Sequence, residues 1–308
     1  MSVTRLVYEI DTGGKHFIDL AKDLSIINRK LIRQKQIFTV MGGLMKDSEG
    51  ADLSFRVAPH TWTTKLAINR AFKQWRKVQS ATLKQSPGLR SSKWNDFKVL
   101  LNNDHEDRYT LTPMYSTGVP HSEGEWDYST LTQPKLIDVG GGALGFDADA
   151  DQWDMHIVGS HVGTGSETTA DGRLLYTNYS RIGLISSWYH SRPLPRTTDP
   201  SNVPVGANEG QSIYTDPLSN LLSVNDDDNE QAEIIETEND IPPYSLQNVQ
   251  GCFNGQTQLV SFCDNTAGEP DVVTVPGFQA ICGLIEVDVT STDGLYLILD
   301  VQTEGERF

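Results

Sequence analysis

Residues near the start alternate strictly. Leu6, Tyr8 and Ile10 point one way and Val7 and Glu9 the other, which predicts a strand ending at Asp11-Thr12-Gly13-Gly14. From Phe17 to Ile32 the period changes. Leu20, Leu24, Ile27 and Leu31 recur at helical spacing, so this stretch reads as a helix. Gln36–Met45 and Ala51–Val57 read as two strands around the turn Lys46-Asp47-Ser48-Glu49-Gly50. A second helix is predicted after Pro59. Thr61 caps it, Trp62, Leu66, Phe72, Trp75 and Val78 form its apolar face, and it fades near Ser80, before Pro87-Gly88.

Beyond residue 100, Gly, Ser, Thr, Asp and Asn separate short apolar runs. The candidate strands are Tyr109–Tyr115, Trp153–Gly159, Gly183–Tyr189, Gln258–Cys263, Ile281–Val289 and Leu295–Val301. Many short strands with turn signals between them indicate a sandwich or barrel. The last two runs flank Asp293-Gly294, which predicts that they pair as a hairpin. The expected fold is mainly β, a jelly-roll sandwich of two packed antiparallel sheets. One or two helices lie in the N-terminal third, in one domain over residues 1–308 with long insertions. Residues 191–250 form an excursion, including eight acids and no base between Asn225 and Asp240, which reads as a solvated surface loop.

Hydrophobic residues make up 37% and charged residues 21% of the 308, which excludes a disordered chain, a coiled coil or a collagen. No apolar run approaches the ~20 residues of a spanning helix. The opening residues lack an apolar signal region, so secretion is not expected. Three cysteines, Cys252, Cys263 and Cys282, make no disulfide framework and read as reduced core residues. The charge is divided: residues 1–100 carry +10 and residues 101–308 carry −26. Such a division predicts two surfaces with different partners.

Candidate chemistry is sparse. Gly140-x-Gly142-x-x-Gly145 resembles a dinucleotide fingerprint, but the acids that follow would repel a phosphate, and it reads as a glycine loop. Asp147, Asp149 and Asp151 have the alternate spacing of calcium ligands, while Gln152 and Val158 exclude an EF-hand. A looser calcium site stands beside a solvated turn. His156 and His161 are five apart, which on a strand places them on opposite faces and argues against shared metal. Gly159-Ser160-His161-Val162-Gly163 puts its serine one place too early for a nucleophile elbow. No catalytic set emerges, so an enzyme is not expected.

The basic N-terminal third is the most informative feature. Arg29, Lys30, Arg33 and Lys35 form one cluster, and Lys65, Arg70, Lys73, Arg76 and Lys77 form another beside Trp62 and Trp75. Cations neutralise phosphates and aromatics stack on unpaired bases, so these nine cations are the candidate nucleic-acid-facing residues. The two tryptophans read as core anchors.

Three stretches carry a family resemblance: Ile18-Asp19-Leu20-Ala21-Lys22-Asp23-Leu24-Ser25 with Asn28-Arg29; Ala58-Pro59-His60-Thr61-Trp62-Thr63-Thr64-Lys65 with Phe72-Lys73; and Val275-Pro276-Gly277-Phe278-Gln279-Ala280-Ile281-Cys282-Gly283-Leu284-Ile285. Together they resemble capsid proteins of small circular, Rep-encoding single-stranded DNA viruses. The resemblance implies a jelly-roll subunit of an icosahedral shell, located in the virion, with copies of itself and single-stranded DNA as partners and no required cofactor. It departs from that pattern at the N-terminus, where Arg5 is the sole base in the first fourteen residues. Genome contact would then fall to folded-surface cations. The rival reading is a glycan- or receptor-binding sandwich using Trp126, Trp153 and Trp188 as exposed aromatics. A hydrolase on a β-scaffold ranks below both.

Overall fold

The structure, a computed structural model, describes residues 2–46, 50–86, 88, 90–106, 109–115, 118–138, 144–168, 174–191, 243, 250–252, 257–265, 272–290, 294–302 and 308, with the side chains of 133–138, 144–151, 164–168 and 174–178 outside the description. The chain divides into two units, Met1–Ser191 with Gln250–Phe308, and Arg192–Val249. The acidic stretch Asn225–Asp240 lies outside the described residues.

Alternation in β1 (Val3–Ile10) buries Leu6, Tyr8 and Ile10, and in β13 (Leu295–Gln302) it buries Leu295, Leu297, Leu299 and Val301. The two strands pair antiparallel with Leu6 opposite Leu299 and Ile10 opposite Leu295, so the apolar faces coincide. β3 (Ile37–Lys46) pairs with the other side of β13, and β10 (Val272–Val275) and β11 (Phe278–Ile281) pair with β3 in turn. The second sheet runs β2 (Gly14–Asp19), β12 (Leu284–Val289), β4 (Asp52–Val57) and β9 (Gln258–Asp264). One apolar core, including Tyr8, Ile18, Phe38, Phe55, Ile285 and Leu297, spans both sheets.

The chain order makes this a jelly roll. β1 to β4 step alternately between the sheets, and β9, β10–β11, β12 and β13 return by the mirrored path. First pairs with last, second with second-last, and so inward to β4 with β9. The predicted class is therefore the observed one, but the predicted C-terminal hairpin is not. β12 and β13 belong to different sheets and each has two other neighbours. Both strands alternate cleanly, so either fits a hairpin locally. Burying both apolar faces against each other across the core is what separates them.

Two other expectations change. Gly14–Asp19 is a strand, so the first helix, α1 (Leu20–Asn28), starts three residues later than the periodicity predicted. Asp19 ends the strand and caps the helix, accepting from the amides of Ala21 at 3.0 Å and Lys22 at 3.2 Å. The expected strand Gly183–Tyr189 is instead α3 (Leu184–His190), a short apolar run of the kind that periodicity does not separate from a strand. Tyr109–Tyr115 forms only isolated bridges, at Thr110 and Met114.

Residues 58–257, between β4 and β9, are the long excursion. It opens with α2 (Trp62–Gln85), capped by Thr61, whose Oγ1 accepts from the Thr64 amide at 3.2 Å. The helix runs five residues past the predicted end. A third, mixed sheet follows, of β5 (Thr130–Asp138), β6 (Leu144–His156), β8 (Leu174–Gly183) and β7 (Val162–Thr168), in that order. No helix among the described residues is long and apolar enough to cross a membrane.

Candidate nucleic-acid interface

The 24 residues of α2 contain six cations and no acid. At about 100° per residue, Lys65, Arg70, Lys73, Arg76, Lys77 and Lys84 fall within an arc of roughly 140°. Thr64, Ala67, Ile68 and Trp75 are buried on the other side. Beyond Trp75 no residue of the helix is buried, Gln79 and Leu83 are half-buried, and Arg76, Lys77 and Lys84 are exposed. Among the described residues none of the six forms an ion pair. Arg70–Lys73, Lys73–Arg76 and Lys73–Lys77 are like-charge neighbours on one face, an arrangement that disfavours the isolated helix.

The first cluster meets this stripe at one point. The Lys35 ammonium lies 5.1 Å from the Phe72 ring centroid, and Arg76 covers the same ring at 5.7 Å. Lys35 also donates to the backbone oxygen of Phe308. Burial, with the charge of Lys73 nearby, holds the Lys35 ammonium below its ordinary pKa. Arg33 stands apart and pairs with Asp96 at 3.7 Å. Arg29 and Lys30 follow α1 and face a different feature. Arg29 is the left-handed C-cap (φ 50°), its amide donating to Ser25 O.

That feature is a cleft of about 200 Å³ between α1 and the segments around residues 94–98 and 124–126. Lys22, Arg29, Lys30 and Lys98 line it with Trp94 and Trp126, and Glu125 is the single carboxylate on its wall. Lys22 is engaged by Glu123 at 3.0 Å. Lys98 is only 7% exposed, and burial lowers its ammonium pKa. Lys98 and Trp94 were not among the predicted site residues. The run Lys93-Trp94-x-x-x-Lys98 carried the signal, but the approach to Trp126, 28 residues away, is purely tertiary.

Of the two expected core tryptophans, Trp75 is buried among Phe72 and Phe97, while Trp62 is 60% exposed and meets Trp188 edge to face at 5.3 Å. The rival aromatic set does not assemble. Trp126, Trp153 and Trp188 are all half-buried rather than exposed, and they sit in different places. Trp126 donates to Asp19 at 3.1 Å, Trp153 lies in β6 and Trp188 packs on Trp62.

The other candidate groups among the described residues are packed or hydrogen-bonded. The three cysteines are buried free thiols, and burial raises all three, Cys263 to about 11. Such thiols pack rather than react. His156 is buried against Ser160 O at 3.1 Å, while His161 meets His190 at 3.4 Å. The His161 Nδ1 accepts from the Gly183 amide at 3.2 Å, which assigns the proton to Nε2 and leaves that nitrogen as a donor rather than a metal ligand. Gly145 lies within strand β6, where a dinucleotide site needs a helix. Asp147, Asp149 and Asp151 are also on β6 rather than in a turn. Their side chains, and with them the calcium expectation, lie outside the described residues.

Fold and site together define a class: a jelly-roll sandwich whose excursion between β4 and β9 begins with a basic helix that forms no ion pair among the described residues. Comparison with protein-family models, curated proteins and solved structures finds no match to this chain.

Proposed function

We propose that this protein is a non-catalytic structural subunit that assembles with copies of itself into a closed viral shell around single-stranded DNA. The observation that carries the reading is the acid-free α2, whose six cations share one face and form no ion pair among the described residues. A folded protein keeps such a stripe at a cost in self-repulsion, which a polyanion offsets by releasing its own counter-ions on binding. The jelly roll supports the reading because its packed sheets leave long inter-strand excursions free for contacts between subunits. The basic face turns inward and the acidic surface outward. No cofactor is required. If Asp147, Asp149 and Asp151 hold calcium between subunits, EDTA loosens the particles.

The test is negative-stain electron microscopy of the purified full-length protein, with the ratio of absorbance at 260 and 280 nm taken on the same sample. Closed particles of uniform diameter carrying nucleic acid are expected. A protein that stays monomeric across salt, pH and calcium overturns the proposal.

A further inference from the structure

The backbone of Lys98 is clamped on both sides by Ser129: its amide donates to Ser129 Oγ at 3.0 Å and its carbonyl accepts the Ser129 amide at 2.9 Å. The side chain is thereby committed to the cleft. Its ammonium makes no ion pair or hydrogen bond among the described residues, and its close partner is the Trp126 ring, with the centroid 4.3 Å away. A lysine only 7% exposed, whose ammonium touches no anion among the described residues and feels Asp127, Asp19, Asp96 and Glu125 only from a distance, is costly to keep. Arg29 adds a second irregularity. A left-handed C-cap is normally glycine, because a side chain there strains the backbone, yet an arginine is held at that place and lines the same cleft beside Lys30. At the rim Trp94 is 57% exposed, large enough to carry a flat ring.

We infer that this cleft is a nucleotide site, in which Lys98, Arg29 and Lys30 hold a 5′-phosphate and Trp94 stacks the base. The volume suits a phosphate and part of a sugar, leaving the base outside on the indole. Three cations not engaged by Glu123 line the cleft with Glu125 as its one lining carboxylate, while Asp127, Asp19 and Asp96 act on Lys98 from outside the lining; a phosphate dianion can meet all three cations at once, where a single carboxylate cannot. Choosing a nucleotide among phosphorylated ligands rests on the proposed shell function. A free nucleotide and one unit of a single strand share the same chemistry.

Tryptophan fluorescence of the full-length protein is titrated with thymidine 5′-monophosphate, thymidine and a thymidine pentanucleotide at low salt. Saturable quenching by the phosphorylated ligands is expected, with thymidine at least about tenfold weaker. Lys98→Met should weaken binding about tenfold or more. Trp94→Ala should weaken the nucleotide but not inorganic phosphate. Arg29→Gly is the sharpest variant: the glycine suits the left-handed cap, so thermal stability should hold or rise while nucleotide affinity falls. A pentanucleotide much tighter than the monophosphate assigns the site to a strand, and equal affinities assign it to a free nucleotide. No saturation by about 5 mM, affinity unchanged in Lys98→Met, or tighter binding of a heparin disaccharide overturns the inference. Particles that form and carry DNA although the monophosphate fails to bind remove the site and leave the shell proposal. A monophosphate-binding protein that never assembles does the opposite.

Discussion

The Tyr8 hydroxyl donates to Asp23 Oδ2 at 2.5 Å in the interior, tying the first strand to the first helix. Burial lifts the Asp23 carboxyl well above its ordinary pKa, and Asp23 Oδ1 has no partner among the described residues. Tyr8→Phe keeps the ring and deletes the donor. The expected cost is about 1–3 kcal/mol in urea unfolding, because a buried acceptor is left unsatisfied. In an Asp23→Leu background the same substitution should cost far less. Equal costs in both backgrounds would show that the two groups are not coupled.

Asp19 gathers more partners: the Ala21 and Lys22 amides, Gln34 Nε2 at 3.1 Å, Trp126 Nε1 at 3.1 Å and the Tyr128 hydroxyl at 3.5 Å. Burial still outweighs them and pushes its pKa to about 6. Between about pH 4 and 6 the native state therefore holds more protons at this site than the unfolded chain. The Asp19 contribution is complete below that window and declines through it, by about 3 kcal/mol. Asp19→Asn should remove this slope from a stability-versus-pH curve. An identical slope in the variant would refute the assignment.

His105 acts in the opposite sense. It stacks on Phe17 at 4.5 Å, its Nδ1 accepts the Leu101 amide at 3.1 Å, and burial drops its pKa to about 3. The unfolded chain binds the proton first, so this contribution is complete above about pH 6.5 and is lost as pH falls toward 3. NMR should find the ring shift flat from pH 8 to about 4.5. A midpoint near 6.5 would contradict it.

Replacing Lys73, Arg76 and Lys77 with glutamine relieves the like-charge pairs on α2. Thermal stability should stay level or rise by about 0.5 kcal/mol. Packaged DNA should fall while particles still form, with the salt dependence of binding reduced by up to about three phosphate contacts. Particles with their full nucleic-acid content would show that this face does not point inward.

Gly283, with φ +70°, lies in the two-residue step Cys282-Gly283 by which the chain crosses from β11 in one sheet to β12 in the other. A Cβ there would sit 2.8 Å from the Phe38 ring and 3.1 Å from Leu20 Cβ. Gly283→Ala should cost about 2–4 kcal/mol, combining left-handed strain with overpacking. Gly88, also at positive φ but with nothing near its Cβ position, is the control. Similar melting losses at both sites would mean that the contact with Phe38 is not what matters.

Much of this was legible residue by residue. Period-two burial in β1 and β13, the Thr61 cap and the basic stripe of α2 all follow from local spacing, because side-chain direction is set by backbone geometry alone. Asp19 was less readable. It ends a strand and caps a helix at once, and the helical stripe continued backward through Phe17 hid the strand before it.

The amino-acid sequence by itself determined which faces are apolar, where the charge of each sign resides and that the chain would be built from many short strands. Only the tertiary structure decided which strands are neighbours, separating β12 from β13 despite the Asp293-Gly294 turn signal between them. It alone brought Lys98 against Trp126 and Lys35 onto Phe72. The reason is physical: alternation specifies a strand's two faces but not the partner at its edge, and a cation's surroundings depend on segments far along the chain that only packing brings together.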